Sequence, residues 1–246
     1  MKLFSLFTKT LQFLPSEVAH YIALAGLKVL HDFGLLRLLY KPLGVPKTEV
    51  SVKELIKSSN RVGIAAGLDK NGDYIDCLAA LGIGFIEVGT VTPRPQKGNP
   101  KPRIFRDLGR KAILNRLGFN NKGVDHLVER LRTRRSNIVV GSSIGKNFDT
   151  PNHNAHEDYL ICLDKVYGLS DYVAINISSP NTKDLRKLTD YASLNFLLRK
   201  LKSKQNKLSL LYGYRPIFIK LSPDENLQSL KAVSYTHLTL PTKRIV

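Results

Sequence analysis

The chain has 246 residues, 43% of them hydrophobic, and a formal net charge of +18. That is long and apolar enough for one large domain or two small ones around a real core. Two cysteines, Cys77 and Cys162, exclude a disulfide framework and fit a reducing compartment. The six histidines lack ligand spacing, so no metal site is expected. The charge is concentrated: residues 94–135 carry 13 Lys/Arg against Asp107, Asp125 and Glu129. Nucleic acid, an anionic membrane face, anionic small molecules or a plain solvated face could each account for it. No aromatic interleaving, helix-turn-helix or zinc pattern accompanies the run, which argues against nucleic acid.

Residues 1–47 hold six Lys/Arg against Glu17 and Asp32 and are rich in Leu and Phe. Pro15-Ser16 predicts a helix start, and Val18, Tyr21, Ile22, Ala25 and Val29 follow helical spacing. A second short helix over Leu35–Tyr40 is expected, joined near Phe33-Gly34. No uncharged stretch approaches the roughly 20 residues of a membrane span. The composition suits two helices lying on a membrane surface, or two helices packed on their own domain.

After Pro46, apolar strand-like runs alternate with helical stretches. Strands are expected at 62–67, 84–90, 138–145, 172–178 and 216–221, and helices at 73–81, 121–134, 157–168 and 191–208. This alternation predicts a parallel α/β sheet, either doubly wound or a (β/α)8 barrel. Polar clusters follow each strand: Asp69-Lys70-Asn71-Gly72, Thr90-Val91-Thr92-Pro93, Gly145-Lys146-Asn147, Asn176 to Thr182, and Lys220. A doubly wound sheet uses mainly one switch point, whereas a barrel gathers all strand ends on one face. The barrel is the better reading, with about five of its eight strands present.

The turn Asn176-Ile177-Ser178-Ser179-Pro180-Asn181-Thr182 offers amides that can hold a planar polar molecule and a serine that can carry a proton. With the strand-end motifs in order, the chain resembles the quinone-dependent (class 2) dihydroorotate dehydrogenases over roughly residues 10–232. The motifs are Ala65 to Gly72, Glu87 to Gln96, Asn115 to Asn121, Ile144 to Asn147, Ile175 to Thr182, and Ile219 to Pro223.

The resemblance implies oxidation of dihydroorotate to orotate in pyrimidine biosynthesis, with FMN as first acceptor and a membrane quinone as second. It implies Ser179 as the catalytic base and Thr182 with Phe119 on the proton path. It implies substrate binding by Lys70, Asn115, Arg116, Leu117, Gly118, Phe119, Asn176 and Asn181. For the flavin it implies Ala66, Gly67, Leu68, Asp69, Lys70, Thr90, Ser143, Asn176 and Lys220. Arg106 matches an arginine between flavin and quinone tunnel. Ser143 stands where the family carries an asparagine, and serine reaches less far.

The resemblance divides the chain into an N-terminal helical membrane and quinone-access segment, 1–45, and a partial FMN-binding α/β barrel, 46–232. Residues 233–246 read as a non-native tail. The family's remaining strands and phosphate-binding glycine loops would follow residue 232, so the chain as written is expected to be inactive and poorly soluble. A peripheral location on the cytoplasmic face of a bacterial inner membrane is implied. The alternatives are a cytosolic class 1 relative, or a basic module binding RNA or lipid.

Overall fold

Five apolar runs of the sequence become the five strands of one parallel sheet. The computed structural model describes residues 10–39, 50–52, 56–181, 185–189 and 191–222. The sheet strands are β3 (Gly63–Ile64), β4 (Phe85–Val91), β7 (Val139–Ile144), β8 (Tyr172–Asn176) and β9 (Ile217–Lys220), hydrogen-bonded in that order. Every neighbouring pair is parallel. Each crossover adds the next strand at the same edge, which is barrel progression; a doubly wound sheet would reverse its order. Among the described residues the sheet does not close.

Helices cover one face of the sheet. Between β3 and β4 lies α3 (Ile75–Ala79), and between β4 and β7 lies α4 (Val124–Thr133). α5 (Ala155–Val166) precedes β8, and α6 (Tyr191–Tyr212) precedes β9. α4 buries Val124, Leu127 and Leu131, and α5 buries Ala155, Tyr159, Cys162, Leu163 and Val166. These spacings put the apolar side chains of each helix on one stripe. They join Ile86, Val88, Val140, Val173 and Ile175 in the main core.

The alternate strand residues face the other way. There Tyr172 and Ala174 pack with Ile56 and Val139 in a second, small cluster. Ile56 belongs to a hairpin of β1 (Val50–Val52) and β2 (Ile56–Ser58). A second hairpin, β5 (Ile104–Asp107) with β6 (Ala112–Asn115), follows β4. Neither hairpin is legible in the sequence pattern. β6 is exposed along its whole length, so it shows no apolar alternation. The expected strand over 62–67 shrinks to two residues, because beyond Ile64 the chain leaves the ladder.

The N-terminal segment forms α1 (Ser16–Asp32) and α2 (Leu36–Leu39), with Pro15 at the N-cap. α1 buries Ala19 and Leu24 while Val18, Tyr21, Ile22 and Val29 stay exposed. Leu24 joins the main core, and an ion pair adds to this apolar attachment. Arg103, 5% exposed, donates to Glu17 from Nη2 at 2.6 Å and from Nε at 3.2 Å. The same guanidinium donates to the carbonyls of Lys97 at 2.6 Å and Asn99 at 3.1 Å. Burial alone would raise the Glu17 carboxyl, but Arg103 and then Lys101 hold it below its ordinary 4.5.

Removing one partner strands the other charge in a poor solvent for it. Glu17→Ala is therefore expected to destabilise the chain by about 3 kcal/mol in urea unfolding. The pair's contribution is full above pH 4.5 and fades as pH falls through the lowered folded value. Equal unfolding midpoints for Glu17→Ala and the parent chain would contradict this role.

Candidate functional site

The site is built at the C-terminal ends of the strands, starting from the loop after β3. Gly67 N–H donates to the Gly89 carbonyl at 2.9 Å, and Gly89 N–H donates back to the Asp69 carbonyl at 3.1 Å. Gly89 has φ +109°, and a Cβ there would lie 2.4 Å from the Ser143 carbonyl oxygen. Only glycine lets β4 approach β7 so closely. Gly67 also has positive φ, +113°, but a Cβ on it would meet nothing within 4 Å. Its backbone therefore borders open space, where a flat ring could lie against it.

Three strand ends are then bonded to one another. Asn176 Nδ2 donates to Thr90 Oγ1 at 2.8 Å, and Thr90 Oγ1 and Ser143 Oγ share a hydrogen bond at 2.9 Å. All three residues are buried. Ser143, where the sequence resemblance expected a longer amide, thus has a partner on the next strand. Lys220 pairs in register with Asn176 and is exposed. Its charge reaches Glu87, whose carboxyl is raised by burial and pulled back by Lys220, by the Tyr172 hydroxyl at 3.4 Å and by the Ala66 amide.

The turn after β8 is stitched to the β5–β6 hairpin. Asn181 Nδ2 donates to Asn115 Oδ1 at 3.3 Å, and Asn99 Nδ2 reaches the Asn181 carbonyl at 3.5 Å. Ser178 Oγ donates to Asn176 Oδ1 at 3.0 Å. Ser179 Oγ accepts the Asn181 backbone N–H at 3.2 Å and is partly buried. An N–H aimed at a hydroxyl oxygen favours negative charge there. Thr182 lies outside the described residues.

Lys70 donates from Nζ to Asn120 Oδ1 at 2.6 Å. Burial, and then the nearby Arg103 charge, push its pKa down to about 8, with Glu17 opposing. Lys70 and Asn120 line a cavity of about 910 Å³ between α1, the β3–α3 loop and the hairpin. Its wall also includes His20, Leu68, Arg106, Ile113, Asn115 and Leu117. Burial lowers the His20 imidazole, and Lys70 adds to the effect. Arg106 donates to the carbonyls of Gln12 and Leu14, both at 2.9 Å.

Four residues expected to touch a ligand also hold the local structure. The Asp69 carboxylate accepts the backbone N–H groups of Asp73 at 3.0 Å and Tyr74 at 2.8 Å, fixing the start of α3. It is buried, which pushes its pKa up to about 6. Arg116 donates to the Pro102 carbonyl at 3.0 Å and stands over the Phe105 ring. Gly118, with φ +69°, turns the chain against Asn99. Phe119 is buried against Gly145 and Thr90, with φ 54°.

Sequence reasoning passed over two groups. Asn120 is the Lys70 partner, and only its place in the Asn120-Asn121 pair signalled it. Asn147 donates to Thr92 Oγ1, the Arg94 carbonyl and Gln96 Oε1 at 2.9–3.1 Å, tying β7 to the loop after β4. Among the described residues no His/Cys/Asp/Glu group could hold a metal ion.

Known proteins share this arrangement. The family model for dihydroorotate dehydrogenase matches residues 48–243, running past residue 232 into the segment the sequence reading set apart. The chain is 50% identical over 238 residues to a dihydroorotate dehydrogenase (quinone) of Acinetobacter baylyi, covering 96% of this chain and 70% of the relative. It is 48% identical over 236 residues to that of Dechloromonas aromatica, covering 94% and 67%. The chain thus spans about two thirds of the length of these relatives. The crystal structure of the Eimeria tenella enzyme in complex with ferulenol superposes with a TM-score of 0.78 at 36% identity, covering 90% of this chain and 63% of that one. The open five-stranded sheet is accordingly part of a TIM-barrel architecture, and the chain belongs to the dihydroorotate dehydrogenase family, among its quinone-type members.

Proposed function

We propose that the chain carries the substrate-facing part of an FMN-dependent enzyme that oxidises dihydroorotate to orotate and passes the electrons to a membrane quinone, in pyrimidine biosynthesis. The observation that carries this reading is the meeting of Asn181 and Asn115 beside Ser179, in a turn that Ser178 ties to the Thr90–Asn176–Ser143 lock. Two amides at one place can grip the polar edge of a small planar ring. A serine among them is placed to take a carbon-bound proton.

The residues fit the flavin expected there. Open space over the Gly67 backbone suits a flat ring, and Thr90, Ser143, Asn176 and Lys220 supply polar contacts around it. When bound, FMN supplies a hydride acceptor. Lys70 offsets the substrate carboxylate, and its partly desolvated ammonium binds an anion more strongly than one in water. Ser179 Oγ accepts the substrate proton while the Asn181 N–H steadies the developing charge. Phe119 closes the site from below and keeps it dry; Thr182 is proposed to carry the proton onward.

The cavity beneath α1 is proposed as the quinone's channel, with Arg106 and His20 in its wall. The exposed apolar face of α1 is proposed to rest on the cytoplasmic face of a bacterial inner membrane. No described helix is long and apolar enough to cross a membrane.

The test is orotate formation with FMN and a soluble quinone. It uses this chain completed to the length of the Acinetobacter relative with that relative's C-terminal portion. Ser179→Ala should lower kcat by about 100-fold or more while orotate affinity holds. Undiminished turnover in Ser179→Ala would remove the assignment.

Lys70 supplies a separate check. Its ammonium is the binding form, so orotate affinity should be level below pH 8 and fall by up to about tenfold per unit above it. Calorimetric titration should find this pH dependence abolished in Lys70→Ala. The lowered pKa also means that the unfolded chain holds this proton between pH 8 and 10.5 when the folded chain does not, so stability rises with pH across that window.

A further inference from the structure

The cavity beneath α1 is lined by the segment before α1, through Leu11 and Gln12, and by the β5–β6 hairpin, and both carry exposed apolar side chains next to their lining residues. On one side the segment before α1 presents Phe13, 89% exposed. On the other the β5–β6 hairpin presents Ile113, 72% exposed, and at its turn Leu108, 70% exposed. Arg106 holds the two sides together. It lies opposite Ile113 in the ladder, and its guanidinium grips the carbonyls on either side of Phe13. Leu108 follows Arg106 by two residues, about 7 Å of strand.

The turn then runs through Gly109, Arg110 and Lys111, closed by Lys111 N–H to the Leu108 carbonyl at 3.4 Å. The Arg110 side chain is 87% exposed, with Asp107 3.9 Å away. Lys111 is exposed as well. An apolar tip flanked by solvated cations is the composition of a segment that enters a lipid interface. A merely solvated turn would account for the cations but not for Leu108, Ile113 and Leu114 all exposed on one hairpin that Arg106 ties to the segment carrying Phe13.

We infer that the turn at residues 108–111 is a second membrane contact: Leu108 enters an anionic bilayer, and Arg110 and Lys111 rest on its headgroups. With the N-terminal segment on the opposite rim, the cavity mouth then opens into lipid rather than water. This rests on the membrane reading of α1 above but adds a contact outside the N-terminal segment and a preference for anionic lipid.

The test is flotation of the full chain with phosphatidylcholine vesicles, with and without phosphatidylglycerol. Circular dichroism of each variant certifies the fold. Leu108→Asp should lower partitioning about tenfold. The double variant Arg110→Ser/Lys111→Ser should lose the preference for phosphatidylglycerol, about fivefold per charge. Phe13→Asp tests the other rim alone. If Leu108→Asp floats like the parent while Phe13→Asp does not, the hairpin contact is overturned and the N-terminal reading stands. If the parent chain does not float, both are overturned. If Leu108→Asp changes sedimentation of the lipid-free chain instead of flotation, the turn is a contact between copies and the lipid assignment fails.

Discussion

Arg103 is the constraint on which the other parts of this molecule turn. A buried guanidinium must find several acceptors in one plane, and here they come from different segments: the Glu17 carboxylate on α1 and the Lys97 and Asn99 carbonyls before β5. The Arg103 carbonyl meanwhile accepts the Arg116 N–H at 2.9 Å, closing the base of the β5–β6 hairpin. One residue thus fixes the helix, the loop and the hairpin that together enclose the cavity. It also acts on the chemistry. Its charge is the largest influence on Lys70 after burial, so the group that anchors the N-terminal helix also helps to lower the pKa of the proposed substrate lysine to about 8.

Other buried polar groups follow the same rule of local satisfaction. Lys146, 2% exposed, donates to the Thr150 carbonyl at 2.8 Å. Asn147 takes the Arg94 N–H on its Oδ1 at 3.1 Å while its amide nitrogen serves three acceptors. Each bond of this kind costs little net energy when made and a good deal when broken. Their combined effect is to tie the loop after β7 to the loop after β4, at the strand ends where the candidate site is built. Such rigidity is what a binding site for a small planar substrate requires.

The sheet was legible in the sequence because buried parallel strands are written as continuous apolar runs, as in Tyr172-Val173-Ala174-Ile175. The strand ends were legible because polar residues directly after such runs have few structural reasons to recur. The hairpin was not. Residues 103–115 mix Arg103, Arg106, Arg110 and Lys111 with isolated apolar residues, and composition reads that as a basic stretch with no strand pattern. The basic run in fact splits by depth: Arg103 is buried and paired, Arg106 grips backbone, and Arg110 stands in water. Composition also gave no sign that the Asp69 carboxylate, which the family resemblance places near the flavin, accepts two backbone amides at the start of α3.

The hairpin's register explains how distant functions can share one element. Because strand side chains alternate, Ile104, Arg106, Ile113 and Asn115 fall on one face, and all four line the cavity. Asn115, at the inner end of that face, meets Asn181 over the proposed substrate position. Arg106, midway along it, holds the segment before α1. The outer end is the turn with Leu108. The turn and the proposed substrate amide are thus the two ends of one short hydrogen-bonded ladder. A slip of one residue in the pairing would move all four side chains to the opposite face at once.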